Sequence, residues 1–145
     1  MTERLILVLA VLAAASIAYA WWSRREGRVT RVDEPEGALS SERLGAKRGF
    51  RATFVQFSTD TCTKCPPTAV LLRDIAAAER GVAHVEIDAA ARMDLTREFD
   101  VMRTPTIVVL NHEGLPVARI SGAPSREQAE SALAEAPPPN VDYSI

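Results

Sequence analysis

The stretch from Thr53 to Ala77 constrains the fold of this chain more than any other feature. It combines a short apolar strand pattern, a tight polar loop, and two cysteines two residues apart at the start of a helical pattern. Cys62 and Cys65 are the only cysteines of the chain. Because the free N–H groups and the dipole at a helix start favour negative charge, they lower the pKa of a thiol there. A fall from about 8.5 to about 7 raises the thiolate fraction at neutral pH to roughly half. The pattern therefore predicts dithiol–disulfide exchange.

Cysteines at this spacing also occur in zinc sites and as buried structural pairs. A structural zinc site normally takes four protein ligands, and this sequence has no second cysteine pair. Its two histidines, His84 and His112, do not follow the cysteines at zinc-finger spacing. The residues around the cysteines are polar, namely Thr59, Asp60, Thr61, Thr63 and Lys64. We therefore expect no metal site, no bound cofactor, and a pair of cysteines that is accessible rather than purely structural.

An apolar segment from Leu5 to Trp22 opens the chain and carries no charged side chain. As a helix, its length is about 27 Å, close to the hydrocarbon thickness of about 30 Å. Tyr19, Trp21 and Trp22 lie together at one end, where aromatic rings settle at the level of the lipid headgroups. The segment is therefore predicted to be a single membrane-spanning anchor, and the membrane to be a partner of this chain.

A cleaved signal peptide is the alternative for the same segment, because Ala18-Tyr19-Ala20 has the small-x-small form of a cleavage site. The leading region carries only Arg4 beside Glu3, whereas four arginines follow the apolar run, at Arg24, Arg25, Arg28 and Arg31. This charge pattern favours an uncleaved anchor. Positive charge beside a membrane segment tends to stay in the cytoplasm, so the pattern predicts a single-pass protein of the cell membrane with its bulk in the cytoplasm.

The chain beyond the anchor divides into a linker, one domain and a tail. Residues 23–39 are charged and broken by glycine and proline, as in a juxtamembrane linker, although Arg28 to Val32 alternates enough for an edge strand. Residues 40–136 suffice for one small domain, in which Ser40 or Ser41 caps a short helix ending at Leu44. Residues 137–145 follow as a flexible tail. A net charge of −2 without a basic stripe argues against nucleic-acid binding.

The domain is predicted to alternate strands and helices. After the cysteines, Val70, Leu71, Ile75 and Ala78 recur at helical spacing. The further predicted elements are a strand over 82–88, a helix over 94–99, a strand over 107–110, a hairpin turn over 111–115, a strand over 117–120 and a last helix capped by Ser125. The predicted fold is an α/β mixed sheet with both faces covered, in which the first crossovers are parallel and the hairpin is antiparallel.

The order of these motifs resembles the thioredoxin family over roughly Thr53 to Ala136. The resemblance consists of a buried strand running into Cys62-Thr63-Lys64-Cys65, a Thr104-Pro105-Thr106 turn before the next strand, a β-hairpin, and Gly122 before the final helix. It implies a thioredoxin-like mixed sheet flanked by helices, here preceded by one N-terminal transmembrane helix.

The resemblance also implies roles for individual residues. Cys62 corresponds to the exposed nucleophile of the family and Cys65 to the shielded resolving thiol. Pro105 corresponds to the family's cis-proline, which lies opposite the cysteines, and the backbone of Thr104 to a hydrogen-bonding site for an extended substrate peptide. Gly122 is expected to permit close backbone approach near the same face.

Two departures from the family pattern concern residues outside the segment from Cys62 to Cys65, which we call the cysteine loop. Thr61 stands where an aromatic residue often precedes the first cysteine, which predicts a more open or less apolar site. Gln56 stands where the family has a buried aspartate, and an amide cannot take up the proton of Cys65. Water or a neighbour such as Glu86 or His84 would have to replace that base.

A third departure is the dipeptide Thr63-Lys64 between the cysteines, followed by Pro66 and Pro67. If the Lys64 ammonium lies near Cys62, it lowers the thiol pKa and stabilises the reduced form; the alternative is that it points into water. Because the prolines lack N–H groups, the regular helix is expected to begin near Pro66.

These features favour a membrane-tethered thiol–disulfide oxidoreductase whose partners are protein disulfides or dithiols and an unidentified redox donor. The alternatives are a module that holds Cu(I) between Cys62 and Cys65, or a redox-inactive thioredoxin-like interaction domain. No methionine-rich or additional histidine ligands support the copper module. Met93 and Met102 are interpreted instead as packing residues.

Overall fold

The computed structural model describes residues 2–24, 26–32 and 37–139. Arg25, Pro35 and residues 140–145 of the predicted tail therefore lie outside the described residues, and the same holds for residues 1, 33, 34 and 36. The elements are α1 (Thr2–Ser23), β1 (Arg28–Arg31), α2 (Ser41–Leu44), β2 (Ala52–Ser58), α3 (Cys65–Ala78), β3 (Val82–Asp88), α4 (Met93–Glu98), β4 (Thr106–Leu110), β5 (Pro116–Ser121) and α5 (Arg126–Ala134).

The apolar N-terminal segment is a helix of 22 residues, α1, which contains the predicted span from Leu5 to Trp22. No residue of this helix is buried against the rest of the protein. Within the described residues it is the one helix that is long and apolar enough to cross a membrane, and a signal sequence has the same properties. Such an exposed apolar helix is unfavourable in water, because its apolar side chains are not buried within the protein.

A mixed sheet of five strands forms the centre of the domain, in the order β1-β5-β4-β2-β3. Strand β3 is parallel to β2, whereas β4 is antiparallel to β2, β5 to β4, and β1 to β5. This confirms the predicted thioredoxin-like α/β mixed sheet flanked by helices. It also shows that residues 28–31, which lie within the predicted linker, form the edge strand that their alternation indicated.

The prediction that the first crossovers are both parallel is wrong for the second one. The β2–α3–β3 crossover is parallel, but β4 enters the sheet from the end at which β3 leaves it. The physical reason is the length of α4. Its six residues span about 9 Å, whereas a strand of seven residues spans about 23 Å, so this helix does not carry the chain back along the sheet.

Side chains from both faces of the sheet form two apolar layers. On one face Phe54, Ile107 and Ile120 pack against α3 and α5, through residues such as Leu72 and Leu133. On the other face the layer consists of Leu39, Leu44, Val55, Phe57, Ile87, Ala89, Leu95, Phe99, Val108 and Leu110. Because β2 is central and covered on both faces, all of its residues are buried. It is this strand that leads into the cysteines.

The buried face of α3 differs from the predicted one. Ile75 is buried as predicted, but the side chain of Val70 is 55% exposed and Ala78 is exposed. The helix instead buries Cys65, Thr68, Ala69, Leu72 and Ile75. The i, i+3, i+4 rule allowed several rotations of the helical wheel in this alanine-rich segment, and the contacts with β2 and β3 select one of them.

Two helix starts are fixed by serine side chains, as the sequence indicated. Ser40 caps α2 by accepting a hydrogen bond from the backbone of Arg43, which decides between the two predicted serines. Ser125 caps α5 by accepting a hydrogen bond from the backbone N–H of Gln128, and the backbone N–H of Ser125 donates to the side-chain oxygen of Gln128, which completes a capping box. Leu39, which the sequence placed in the linker, is fully buried in the core.

Candidate active site

The two cysteines form a disulfide at the start of α3, with their Cα atoms 5.4 Å apart. Cys65 is the first residue of the helix and is 2% exposed, whereas Cys62 lies in the preceding turn and is only partly buried. The backbone N–H of Cys62 donates to the carbonyl of Thr59, and that of Cys65 donates to the carbonyl of Cys62. The helix begins at Cys65, one residue before its expected start at Pro66. Access to the disulfide is therefore through Cys62.

A second loop, which leads into β4, supplies the other side of the site. The Thr104–Pro105 peptide bond is cis and Pro105 is buried. The hydroxyl oxygens of Thr59 and Thr104 lie 3.3 Å apart, within hydrogen-bond distance, and this contact joins the loop to the turn that carries Cys62. The structure thus brings the predicted Thr104-Pro105 pair next to the cysteine loop.

Gly122 supports the same loop from β5. Its N–H donates to the carbonyl of Pro105 over 2.8 Å, and its φ of +93° is a conformation that favours glycine. A Cβ atom at this position would lie 2.9 Å from a guanidinium nitrogen of Arg103. The expected close approach at Gly122 is therefore present.

Gln56 lies fully buried below Cys65 and uses all three of its hydrogen-bonding groups. Its amide nitrogen donates to the carbonyl of Cys65 and to the hydroxyl of Ser58, each over 3.0 Å. Its amide oxygen lies 2.9 Å from Nε2 of His84. Since the oxygen only accepts, this contact assigns the proton of the imidazole to Nε2. Gln56 therefore holds the start of α3 in place by neutral hydrogen bonds.

His84 contacts Gln56 rather than a cysteine. Partial burial, aided by the positive charge of Arg73, lowers the pKa of His84 from 6.5 to about 4, although the carboxylate of Glu86 acts in the opposite direction. The imidazole is therefore neutral at physiological pH, as its donation to Gln56 requires. Glu86, the other suggested replacement for a base, forms an ion pair with Arg73 at 3.3 Å.

Lys64 is half-exposed and forms an ion pair instead of pointing freely into water. Its ammonium contacts both carboxylate oxygens of Glu26, at 2.5 and 2.6 Å. A guanidinium nitrogen of Arg103 lies 3.8 Å from the same carboxylate. Glu26 thus connects the residue between the cysteines with the residue before Thr104. No local pattern predicts this contact, because 38 residues separate Glu26 from Lys64.

Two depressions flank the disulfide. One cleft of about 340 Å³ is lined by both cysteines and by the acidic residues Asp60, Glu86 and Asp88. The second, on the side of Thr104, is lined by Met93, Val101 and Met102 among others. Met93 and Met102 are 45% and 84% exposed, so the interpretation of these two methionines as packing residues is wrong. Thr61 and Thr63 are exposed, so the surface beside the cysteines carries hydroxyl groups. No aromatic ring precedes Cys62, because that position is Thr61.

A cysteine pair at a helix start, next to a cis-proline loop at one end of the strands of a mixed sheet, defines the thioredoxin-like class of proteins. Residues 42–137 match the family of thioredoxin-like domains. The chain is 30% identical to the thioredoxin of Mycolicibacterium smegmatis over 105 residues, which cover 70% of this chain and 89% of that protein. The chain therefore belongs to the thioredoxin-like domain family.

Solved structures show the same fold. The thioredoxin of Fasciola hepatica superposes with a TM-score of 0.54 at 22% identity, over 61% of this chain and 83% of that one. The oxidised form of mitochondrial thioredoxin 3 from Saccharomyces cerevisiae gives a TM-score of 0.53 at 22% identity, over 59% of this chain and 78% of that one. The match to the family of thioredoxin-like domains begins at residue 42, after α1 has ended.

Proposed function

We propose that this protein is a thiol–disulfide oxidoreductase that is tethered to a membrane by α1. The observation that carries the proposal is the disulfide between Cys62, which is accessible, and Cys65, which is buried in the first turn of a helix. A helix start stabilises a thiolate on the side chain that is exposed to a substrate. The adjoining Thr104-Pro105 loop offers backbone groups to an extended peptide, as the family resemblance implies.

The exchange reaction moves two electrons and passes through a mixed disulfide. In the reduced protein, the Cys62 thiolate attacks one sulfur of a substrate disulfide and forms a mixed disulfide with it. The S–S bond of the substrate breaks, and the other substrate sulfur leaves as a thiolate that takes a proton from solvent. Cys65 then loses its proton to water, and its thiolate attacks the Cys62 sulfur. The bond between Cys62 and the substrate breaks, and the second substrate sulfur leaves as a thiolate that also takes a proton from solvent. The substrate is reduced to a dithiol, and the protein is left with the Cys62–Cys65 disulfide.

The oxidised protein needs a dithiol donor to complete the cycle. A reduced dithiol protein or a small dithiol reverses the same two steps, so that the donor becomes a disulfide and both cysteines become thiols. We propose that reduction of protein disulfides is the physiological direction, because the arginines after α1 favour a cytoplasmic domain and that compartment keeps thiols reduced.

The tether rests on the composition and exposure of α1. The residues of α1 are exposed along the whole helix, its span from Leu5 to Trp22 carries no charged side chain, and aromatic residues gather at its C-terminal end. Mass spectrometry of the chain extracted from a membrane fraction tests this step, because an anchor retains α1 and a cleaved signal peptide does not. Reporter fusions at the C-terminus test the orientation, with fluorescence expected for a cytoplasmic domain and phosphatase activity for the opposite side.

Reduction of insulin by dithiothreitol tests the activity. The full chain in detergent is expected to accelerate the reaction, and Cys62→Ser is expected to abolish that acceleration. Glu113→Gln is the matched control, since Glu113 is exposed in the turn between β4 and β5, at the opposite end of these strands from Pro105. No acceleration by the unaltered chain would refute the proposal, and stoichiometric Cu(I) binding in its place would support the metal module.

A further inference from the structure

The end of α1 lies beside the active site because of the path of the chain after this helix. Strand β1 begins at Arg28, five residues after the helix ends at Ser23 (28 − 23). The N–H of Gly27 donates to the carbonyl of Ser121 over 3.1 Å, and Arg28 is paired with Ser121 in the sheet. Ser121 is followed by Gly122, which holds the Pro105 loop. The sheet therefore holds the C-terminal end of α1 near the same ends of the strands as the site.

Glu26 makes a second connection between the helix end and the site. Its carboxylate contacts Lys64, which lies between the two cysteines, and it lies 3.8 Å from Arg103, which precedes Thr104. The three side chains are between 32% and 53% exposed, so each pair alone is weak. Together with the pairing of β1, they restrict how far the cysteine loop can turn away from α1.

The last turn of α1 and the cysteine loop also share a cavity. Tyr19, Trp22, Ser23, Glu26 and Lys64 line it. Tyr19 and Trp22 belong to the aromatic end of the helix, and aromatic side chains at the end of a membrane span lie at the level of the lipid headgroups. If α1 spans a bilayer, Lys64 lies at that same level, and the two cysteines that flank it lie at the membrane surface.

From these contacts we infer that the substrates of this site are disulfides of integral membrane proteins, located within a few residues of the membrane surface. The inference rests on the proposed function. A disulfide that is carried on a short segment after a transmembrane helix is held at the depth of Cys62 and diffuses in the same plane. A disulfide on a long extramembrane segment spends little time at that depth, because its effective concentration falls with the length of the tether.

The probes for the test are two synthetic peptides, each with one transmembrane helix followed by a small disulfide-bonded loop. The spacer between helix and loop is about 3 residues in the near probe and about 25 flexible residues in the far probe, which gives mean distances from the bilayer of roughly 10 and 30 Å. A third probe is the same disulfide loop without a transmembrane helix. The reduced full chain is reconstituted with each membrane probe in liposomes, and the thiols formed are alkylated and counted by mass spectrometry.

The near probe is expected to be reduced about tenfold faster than the far probe. A Gly/Ser insertion of about 20 residues directly after Ser23 frees the domain from the helix end and is expected to remove most of this preference. Glu26→Gln is expected to lower the near-to-far ratio roughly two- to fivefold, as the loss of partly exposed ion pairs allows. Glu113→Gln, which changes a carboxylate far from the site, is expected to keep the ratio of the unaltered chain.

Equal rates for the near and far probes, or faster reduction of the far probe, would overturn the inference while leaving the proposed function intact. The same holds for a preference that persists after the insertion. Failure to reduce any probe, including the loop without a helix, would instead overturn the proposed function. The inference depends on α1 remaining part of the mature chain. If the chain that is isolated from cells lacks α1, the inference is overturned.

Discussion

Acid is expected to weaken the domain through His84, the imidazole that donates to Gln56. In the folded protein the pKa of His84 is lowered to about 4, whereas an unfolded histidine titrates near 6.5. Between these values the unfolded chain binds a proton that the folded chain does not. Stability is therefore unaffected by this group above about pH 6.5, falls as the pH is lowered to about 4, and is constant below that.

The size of the effect follows from the two pKa values. A full shift of this size corresponds to about 2 kcal/mol at pH 5 relative to pH 7. His84 is only partly buried, so solvent screening reduces the expected loss to about 1 kcal/mol. The positive charge of Arg73 opposes protonation of His84 and the carboxylate of Glu86 favours it, and both are already included in the lowered pKa.

Urea unfolding of the full chain in detergent, at pH 7 and pH 5, measures this loss. Circular dichroism is the appropriate signal, because both tryptophans, Trp21 and Trp22, belong to α1 and do not report on the sheet. In His84→Gln the amide still donates to Gln56 but does not titrate, so this variant is expected to lose about 1 kcal/mol less than the unaltered chain between the two pH values. His112→Gln, in an exposed turn, is the matched control. Parallel pH profiles for the unaltered chain and His84→Gln would refute the reasoning.

Four further substitutions test the packing of α3, the cap of α5 and the buried hydrogen bonds by urea unfolding. Leu72→Ala removes a fully buried side chain and is expected to cost about 2–5 kcal/mol, whereas Val70→Ala, only two residues away, is expected to cost less than about 1 kcal/mol; equal losses would contradict the assigned face of α3. Ser125→Ala is expected to cost about 1 kcal/mol through loss of the capping box, and an unchanged stability would argue against that cap. Gln56→Leu is expected to cost about 2–4 kcal/mol, because it removes the three hydrogen bonds of a fully buried side chain, and a neutral result would contradict the network.

The sequence was sufficient for features that depend on local chemistry. Strand β3 has the predicted bounds, because the alternation of Val82 to Asp88 is a local pattern. Ser125 caps α5 as its position before Gln128 indicated, and the cis bond at Pro105 agrees with the family motif. The cysteines occupy the predicted helix start, since Pro66 and Pro67 are tolerated in a first turn.

Features that depend on tertiary contacts were not predictable from local patterns. The direction of β4 follows from the short α4, and the rotation of α3 follows from its packing on the sheet. Met102 is apolar but 84% exposed, because it lies with Arg103 in the surface loop that leads to Thr104. The carboxylate of Glu26 reaches Lys64 only because β1 pairs with β5, a pairing that joins distant parts of the chain.

Trapping of the mixed disulfide measures the central claim most directly, namely that Cys62 attacks and Cys65 resolves. Cys65→Ser, first reduced and then mixed with a disulfide-bonded peptide, is expected to accumulate a covalent adduct on Cys62 that mass spectrometry detects at stoichiometric yield. Cys62→Ser is expected to form little adduct, because Cys65 is 2% exposed. An adduct that forms equally fast on Cys65, or no adduct on Cys62, would contradict the account.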